Sequence, residues 1–235
     1  MFTDSPTFPF RVDKSIKSNI SAAGLRELGN NLWPADCQTC GQPFDGELPA
    51  LVINDLAVMA FASLHHAKCS PPRWSDNHVI NASTAPYLSY RTMTALIPGE
   101  TSNGKPYAMP TVIVNPALEQ VMLRREGTSW SVATLTHYGE NCGLTGLSVS
   151  DPVPDAHVQM LPAGLLSVTL DRTGESWEFD TTGLAGMTER IRELGGVALA
   201  VTSAYLPDQH FTVLGDYVEA LRSGQLALGW VALQH

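Results

Sequence analysis

The chain has 235 residues, of which 44% are hydrophobic and 16% charged; this is enough apolar material for one large domain or two small ones, and it excludes disorder as the main state. With 14 basic and 23 acidic residues the net charge is -9, so a phosphate backbone meets a repulsive far field and nucleic acid is not the expected partner. Nineteen glycines and 16 prolines predict many loops between short elements.

The first ten residues carry no basic start followed by an apolar core of about 7 to 15 residues, so no export signal is expected. The longest apolar stretches, such as residues 56–64, fall far short of the ~20 needed to cross a bilayer. The sequence therefore reads as a soluble, cytoplasmic protein without a membrane segment. Residues 21–31 read as a short helix with Ser21 as its cap and Leu25 and Leu28 on one side, ending before Pro34. The bases Arg11, Lys14, Lys17 and Arg26 are diluted by Asp13 and Glu27 and read as solvated surface.

Three of the four cysteines lie between positions 37 and 69, a clustering that suggests metal rather than disulfides. Cys37-Gln38-Thr39-Cys40 lets one tight turn aim two thiolates at a point, and Gly41 lets the chain leave that turn. His66 and Cys69 repeat the two-residue spacing, making His66 the first choice for the imidazole ligand and His65 the reserve. Cys37, Cys40, His66 and Cys69 thus form a candidate Cys3His set for Zn2+. Three thiolates and one imidazole close the tetrahedron, so the zinc is expected to be structural.

Between the two pairs, residues 50–53 and 56–61 are apolar and predict a hairpin turning at Asn54-Asp55. Ser63 is then placed to cap a short helical turn carrying His66 and Cys69, stopped by Pro71-Pro72. Knuckle, hairpin and helical turn resemble a treble-clef zinc module over residues 36–74, or a zinc ribbon if the second pair sits on another knuckle. Many such modules bind nucleic acid. Here Asp36, Asp45, Glu47, Asp55 and Asp76 face only Lys68 and Arg73, the wrong sign for that role.

Beyond Trp74 the chain becomes strand-rich: residues 88–97 and 111–114 read as strands and 98–110 as a surface loop. Residues 123–130 and 170–177 share Leu, Arg, Gly, Ser and Trp at identical offsets and predict two similar hairpins, a pattern that either internal duplication or convergence on ordinary turn residues gives. From Trp177 the order is strand, helix, strand, helix, strand. Leu184, Met187, Ile191 and Leu194 form the first helical stripe, Gly195-Gly196 its stop, and residues 197–206 an interior strand. Leu214, Tyr217, Val218 and Leu221 form the second stripe, and this alternation favours parallel or mixed pairing. The expected fold is α+β, with an N-terminal helix and zinc module over 1–78 and a strand-rich domain over 79–235.

No standard glycine loop for phosphate, no His-Glu-x-x-His and no Gly-x-Ser-x-Gly occurs in the sequence. The remaining catalytic candidates are Asp76-Asn77-His78, a Cys142 nucleophile with His137 as base, and Asp208 with His210. Three functional readings follow. The first is a non-catalytic protein-interaction or regulatory protein with structural zinc. The second is an enzyme whose site lies at the domain junction and uses His78, His137 or His210. The third and weaker one is a zinc-dependent nucleic-acid regulator. Residues 136–235 hold twelve acids against four bases, a surface that would suit a basic protein partner.

Overall fold

The computed structural model describes residues 8–77, 89–100, 103–206 and 225–234. Its elements in chain order are α1 (Lys14–Asn19), α2 (Ala22–Gly29), β1 (Ala50–Asp55), β2 (Met59–His65), β3 (Arg73–Ser75), β4 (Arg91–Glu100) and β5 (Pro106–Asn115). There follow β6 (Gln120–Glu126), β7 (Ser129–Val132), α3 (Thr134–Cys142), β8 (Ala156–Met160), β9 (Leu165–Leu170), β10 (Glu175–Asp180), α4 (Met187–Leu194), β11 (Gly196–Val201) and β12 (Ala227–Ala232). Strand outweighs helix, 41% to 17%, so the α+β architecture is mostly β. No helix among the described residues is long and apolar enough to cross a membrane.

The chain divides into two compact units that interleave in sequence. The first comprises Met1–Tyr90, Pro116–Thr134 and Ser203–Tyr205; the second comprises Arg91–Asn115, Leu135–Thr202 and Leu206–His235. A single cut at 78/79 therefore does not describe them, because sheet pairing recruits strands from beyond that point into the first unit.

The first unit is built on a five-stranded sheet ordered β3-β1-β2-β6-β7. Period-two alternation turns Leu51, Ile53, Ala60, Ala62, Leu64, Val121 and Leu123 into one buried cluster with Ile16 of α1 and Leu25 and Leu28 of α2. Each helix starts on a side-chain cap: Asp13 accepts from the Ile16 amide and Ser21 from the Gly24 amide, the latter as expected. The β1–β2 hairpin forms, but its turn is not at Asn54-Asp55, which lie inside β1 with Asp55 opposite Ala60. The chain instead reverses over residues 56–58, where Ala57 takes a left-handed conformation (φ 79°) and donates its amide to the Asp55 carboxylate at 2.7 Å.

The second unit carries a four-stranded sheet ordered β12-β11-β5-β4 and a three-stranded antiparallel sheet ordered β10-β9-β8. Val112, Val114, Val197, Leu199 and Val201 from one face of the first meet Val158, Leu166, Val168, Trp177 and Phe179 of the second, with Met187 and Ile191 of α4. The other face holds Met93, Ile113 and Ala200 with Leu206, so β11 is buried at every position. This is why its sequence is a continuous apolar run rather than an alternating one.

The strand, helix, strand order from Trp177 holds through β10, α4 and β11, with β10 paired to β9 and β11 in mixed pairing, parallel to β5 and antiparallel to β12. The second helical stripe, residues 214–221, lies outside the described residues. The expected loop 98–110 is largely strand, because Ile97, Pro98, Gly99 and Glu100 pair with Met109, Ala108, Tyr107 and Pro106. Gly99 acts there as a seat rather than a breaker, since a Cβ on it would sit 2.8 Å from the Tyr107 ring.

The two similar hairpins also differ in register. Glu126 faces Ser129 across a two-residue turn, whereas Leu170 faces Glu175 across a four-residue turn closed by the Gly174 amide on the Leu170 carbonyl. Trp130 consequently pairs with Arg125, and Trp177 pairs with Val168. The shared residues are common choices around a tight turn, and they occupy different ladder positions in the two hairpins.

Candidate metal centre

Two tight turns of the first unit bring the donors together. In the first, the Cys37 amide donates to the Gln42 carbonyl at 2.9 Å and the Gly41 amide donates to the Cys37 carbonyl at 2.8 Å. Gly41 adopts the left-handed conformation (φ 66°) that lets the chain fold back, and Asp36 bridges Pro43 in antiparallel fashion. The second turn leaves the end of β2 directly, with the Cys69 and Ser70 amides both donating to the His66 carbonyl, at 2.9 and 3.0 Å. Residues 66–70 thus make a single turn before Pro71-Pro72, but Ser63 does not cap it, because Ser63 lies within β2.

The ligand atoms of Cys37, Cys40, His66 and Cys69 all lie within 4.8 Å of one another. A tetrahedral zinc ion with Zn–S of about 2.3 Å separates its thiolates by about 3.8 Å, so small side-chain adjustments bring this set to bonding distance. Cys37 and His66 are buried, while Cys40 and Cys69 are half-buried at the surface side of the cluster. The set could hold a metal ion, and its soft, sulfur-rich chemistry suits zinc.

Of the two adjacent histidines, His66 is the one in the cluster, with Nδ1 at 3.5 Å from Cys40 Sγ. Its ring rests on Phe44, with centroids 4.9 Å apart, and Nε2 faces the Glu47 carboxylate at 4.0 Å. Both nitrogens of His65 are occupied elsewhere, by the Thr39 hydroxyl at 2.8 Å and the Ser63 hydroxyl at 2.9 Å. Burial, aided by the charge of Arg73, lowers the His65 pKa to about 4, so this ring stays uncharged.

Electrostatics at the thiols suit a cation. Burial pushes the Cys37 thiol up, but amide donors from His66, Thr39 and Cys40 outweigh it and bring the pKa down to about 7. The His66 amide makes the clearest of these contacts, at 3.2 Å from Cys37 Sγ. Cys69 is pushed up to about 11, first by burial and then by the neighbouring thiols of Cys40 and Cys37. Three thiols in mutual contact resist joint ionisation, and a divalent ion at their centre converts that repulsion into attraction. All four cysteines of the chain are free.

A buried carboxylate sits beside the first turn. Glu119, with no exposed surface, accepts from the Asp36 amide at 2.9 Å and from the Ser89 amide at 3.1 Å, and the Ser89 hydroxyl donates to Asp36. Burial raises its pKa, and these amide donors only partly offset the effect. Neither Glu119 nor Glu47 stood out in the sequence, because both reach the turns from segments with no ligand spacing to mark them.

The catalytic candidates do not assemble among the described residues. His137 and Cys142 both lie on α3, but His137 Nδ1 pairs with the Asn141 amide at 2.9 Å while Cys142 is buried in the second unit's core. Burial, reinforced by the charge of Glu175, raises the Cys142 thiol pKa, which makes it a poor nucleophile. Asn77 accepts from the Ser75 hydroxyl at 2.7 Å; His78, Asp208 and His210 lie outside the described residues. No protein-family model, no curated protein and no solved structure matches the chain.

Proposed function

We propose that the chain is a zinc protein in which Cys37, Cys40, His66 and Cys69 bind one structural Zn2+, and that it acts as a non-catalytic protein-interaction or regulatory protein. The observation that carries this reading is the convergence of four donors, from two tight turns at either end of the β1–β2 hairpin, to within 4.8 Å. Because each pair sits on a turn and none on a helix, the module is read as ribbon-like rather than treble-clef. Four protein ligands leave no open coordination position for water, which favours a structural over a catalytic ion. Free thiols in such a site suit a reducing compartment such as the cytoplasm. The acidic balance of residues 36–76 and of 136–235 favours a basic protein partner over nucleic acid.

Metal analysis by mass spectrometry, on protein purified without a metal-binding tag, tests the site. The expected result is one zinc per chain in the native protein, lost in Cys40→Ser and in His66→Ala. Well under one zinc per native chain overturns it. The interaction role is tested by comparing proteins that co-purify with the native chain and with Cys40→Ser: a set lost with the zinc supports the role, and identical sets count against it.

A further inference from the structure

We infer that Glu47 is the outer-sphere partner of the metal centre, accepting the Nε2 proton of His66 and so presenting Nδ1 to the ion. The inference rests on the zinc reading above and adds to it the ligating atom and the residue that selects it. A histidine that binds a metal does so as neutral imidazole, with the lone pair of one nitrogen on the ion and the single proton on the other. In this ring Nδ1 is the atom beside the thiols, 3.5 Å from Cys40 Sγ, so the proton belongs on Nε2. The His66 side chain is buried, and an N–H on a buried ring needs an acceptor. The Glu47 carboxylate lies 4.0 Å away with an open, half-exposed side, so closing to hydrogen-bond distance requires a shift of about 1 Å.

The chain is arranged to hold Glu47 in that position. Asp45 and Gly46 both take left-handed conformations (φ 47° and 83°), and the Glu47 amide donates to the Phe44 carbonyl at 2.8 Å. The same turn thus presents Phe44, its ring tilted against that of His66 with centroids 4.9 Å apart, and Glu47, whose carboxylate faces Nε2. These two neighbours together fix the ring's position and its tautomer, the two properties an outer-sphere group supplies to a metal-bound histidine.

The test uses the zinc-loaded full chain and its affinity in competition with a chromophoric chelator. Glu47→Ala is expected to weaken zinc binding by about 10- to 100-fold, the range found for outer-sphere carboxylates. Glu47→Gln, which keeps an acceptor oxygen, falls between that variant and the native chain. Glu126→Gln, which makes the same charge change at an exposed position at the end of β6, leaves the affinity unaltered. Long-range proton–nitrogen NMR on the imidazole supplies a readout that a purely structural role would not move: Nδ1 metal-bound and Nε2 protonated in the native protein. A native chain that holds zinc while Glu47→Ala binds within twofold of it, or a spectrum with Nε2 on the metal, overturns the inference and leaves the zinc site standing. A native chain that holds no zinc overturns both.

Discussion

Glu119 is a carboxylate taken fully out of water and satisfied by backbone amides of Asp36 and Ser89. Because burial raises its pKa in the folded state, the folded chain holds that proton to higher pH than the unfolded chain does. The stability it contributes is present at low pH and is lost as pH rises through the raised value. Glu119→Gln cannot titrate, so the native melting temperature measured relative to this variant is expected to fall as pH climbs from the ordinary carboxylate range towards neutrality. Comparing the two chains cancels the thiol titrations they share, and a difference that is flat or rises with pH contradicts the assignment. The same scale shows what the sequence made legible at the metal centre. Cys37, Cys40 and Cys69 could be read from spacing because a tight turn is a local object. Spacing ranks His66 ahead of His65, and the parity of β2 agrees: Ala60, Ala62 and Leu64 face the core, and His66 continues that side while His65 joins Ser63 on the other. Glu47 and Glu119 were invisible because their roles come from side chains meeting across the fold.

Two adjacent glycines between α4 and β11 show how one sequence signal can have two physical causes. Gly195 caps the helix in the left-handed conformation (φ 69°) with its amide on the Ile191 carbonyl, and a Cβ there would meet nothing within 4 Å. Gly196 opens β11, and a Cβ on it would run into the Val231 carbonyl of β12 and lie 2.9 Å from the Trp230 indole nitrogen. Gly195→Ala is expected to cost about 1 to 2 kcal/mol as backbone strain alone. Gly196→Ala is expected to cost about 1 to 3 kcal/mol by overpacking, and also to shift the Trp230 fluorescence, which Gly195→Ala leaves in place. Urea unfolding followed by tryptophan emission checks both, and an unmoved emission spectrum in Gly196→Ala contradicts the close approach. Elements of this kind were legible where the pattern is local: the Ser21 cap of α2, the α4 stripe with its glycine stop, the β1–β2 hairpin and the buried β11. Pairing across long sequence separations was not. Residues 98–110 contain the breakers of a loop yet continue a ladder, because Tyr107 covers Gly99 from the facing strand. The turn fell at Ala57 rather than at Asn54-Asp55 because the Asp55 side chain stabilises it one step further along.

At the scale of the whole molecule, each unit has a hydrophobic cluster of its own, and among the described residues the metal-ligand cluster lies in the first. Cys37 and Phe44 belong to the cluster that also holds Ile16, Leu25, Leu28, Leu51 and Leu64, so the two turns are part of that unit's core rather than an appendage to it. A structural zinc supplies about 10 to 16 kcal/mol of apparent binding free energy at neutral pH, comparable with the total stability of about 5 to 15 kcal/mol of an ordinary domain. With zinc bound as proposed, its removal would leave the three thiols and the buried imidazole facing one another, and this cost would fall on the first unit. The second unit keeps its two facing sheets, from Val112 and Leu199 on one to Val168 and Phe179 on the other, without any contribution from the ion. Chelation is therefore expected to abolish hydrogen-exchange protection in β1, β2 and the flanking turns while amides of β5, β9 and β11 keep theirs. Exchange mass spectrometry before and after chelation, with zinc added back as the control, measures this directly. Uniform loss across both units would mean that the fold has a single cooperative core, and unchanged protection in β1 and β2 would mean that the ion does not stabilise the hairpin between its ligands.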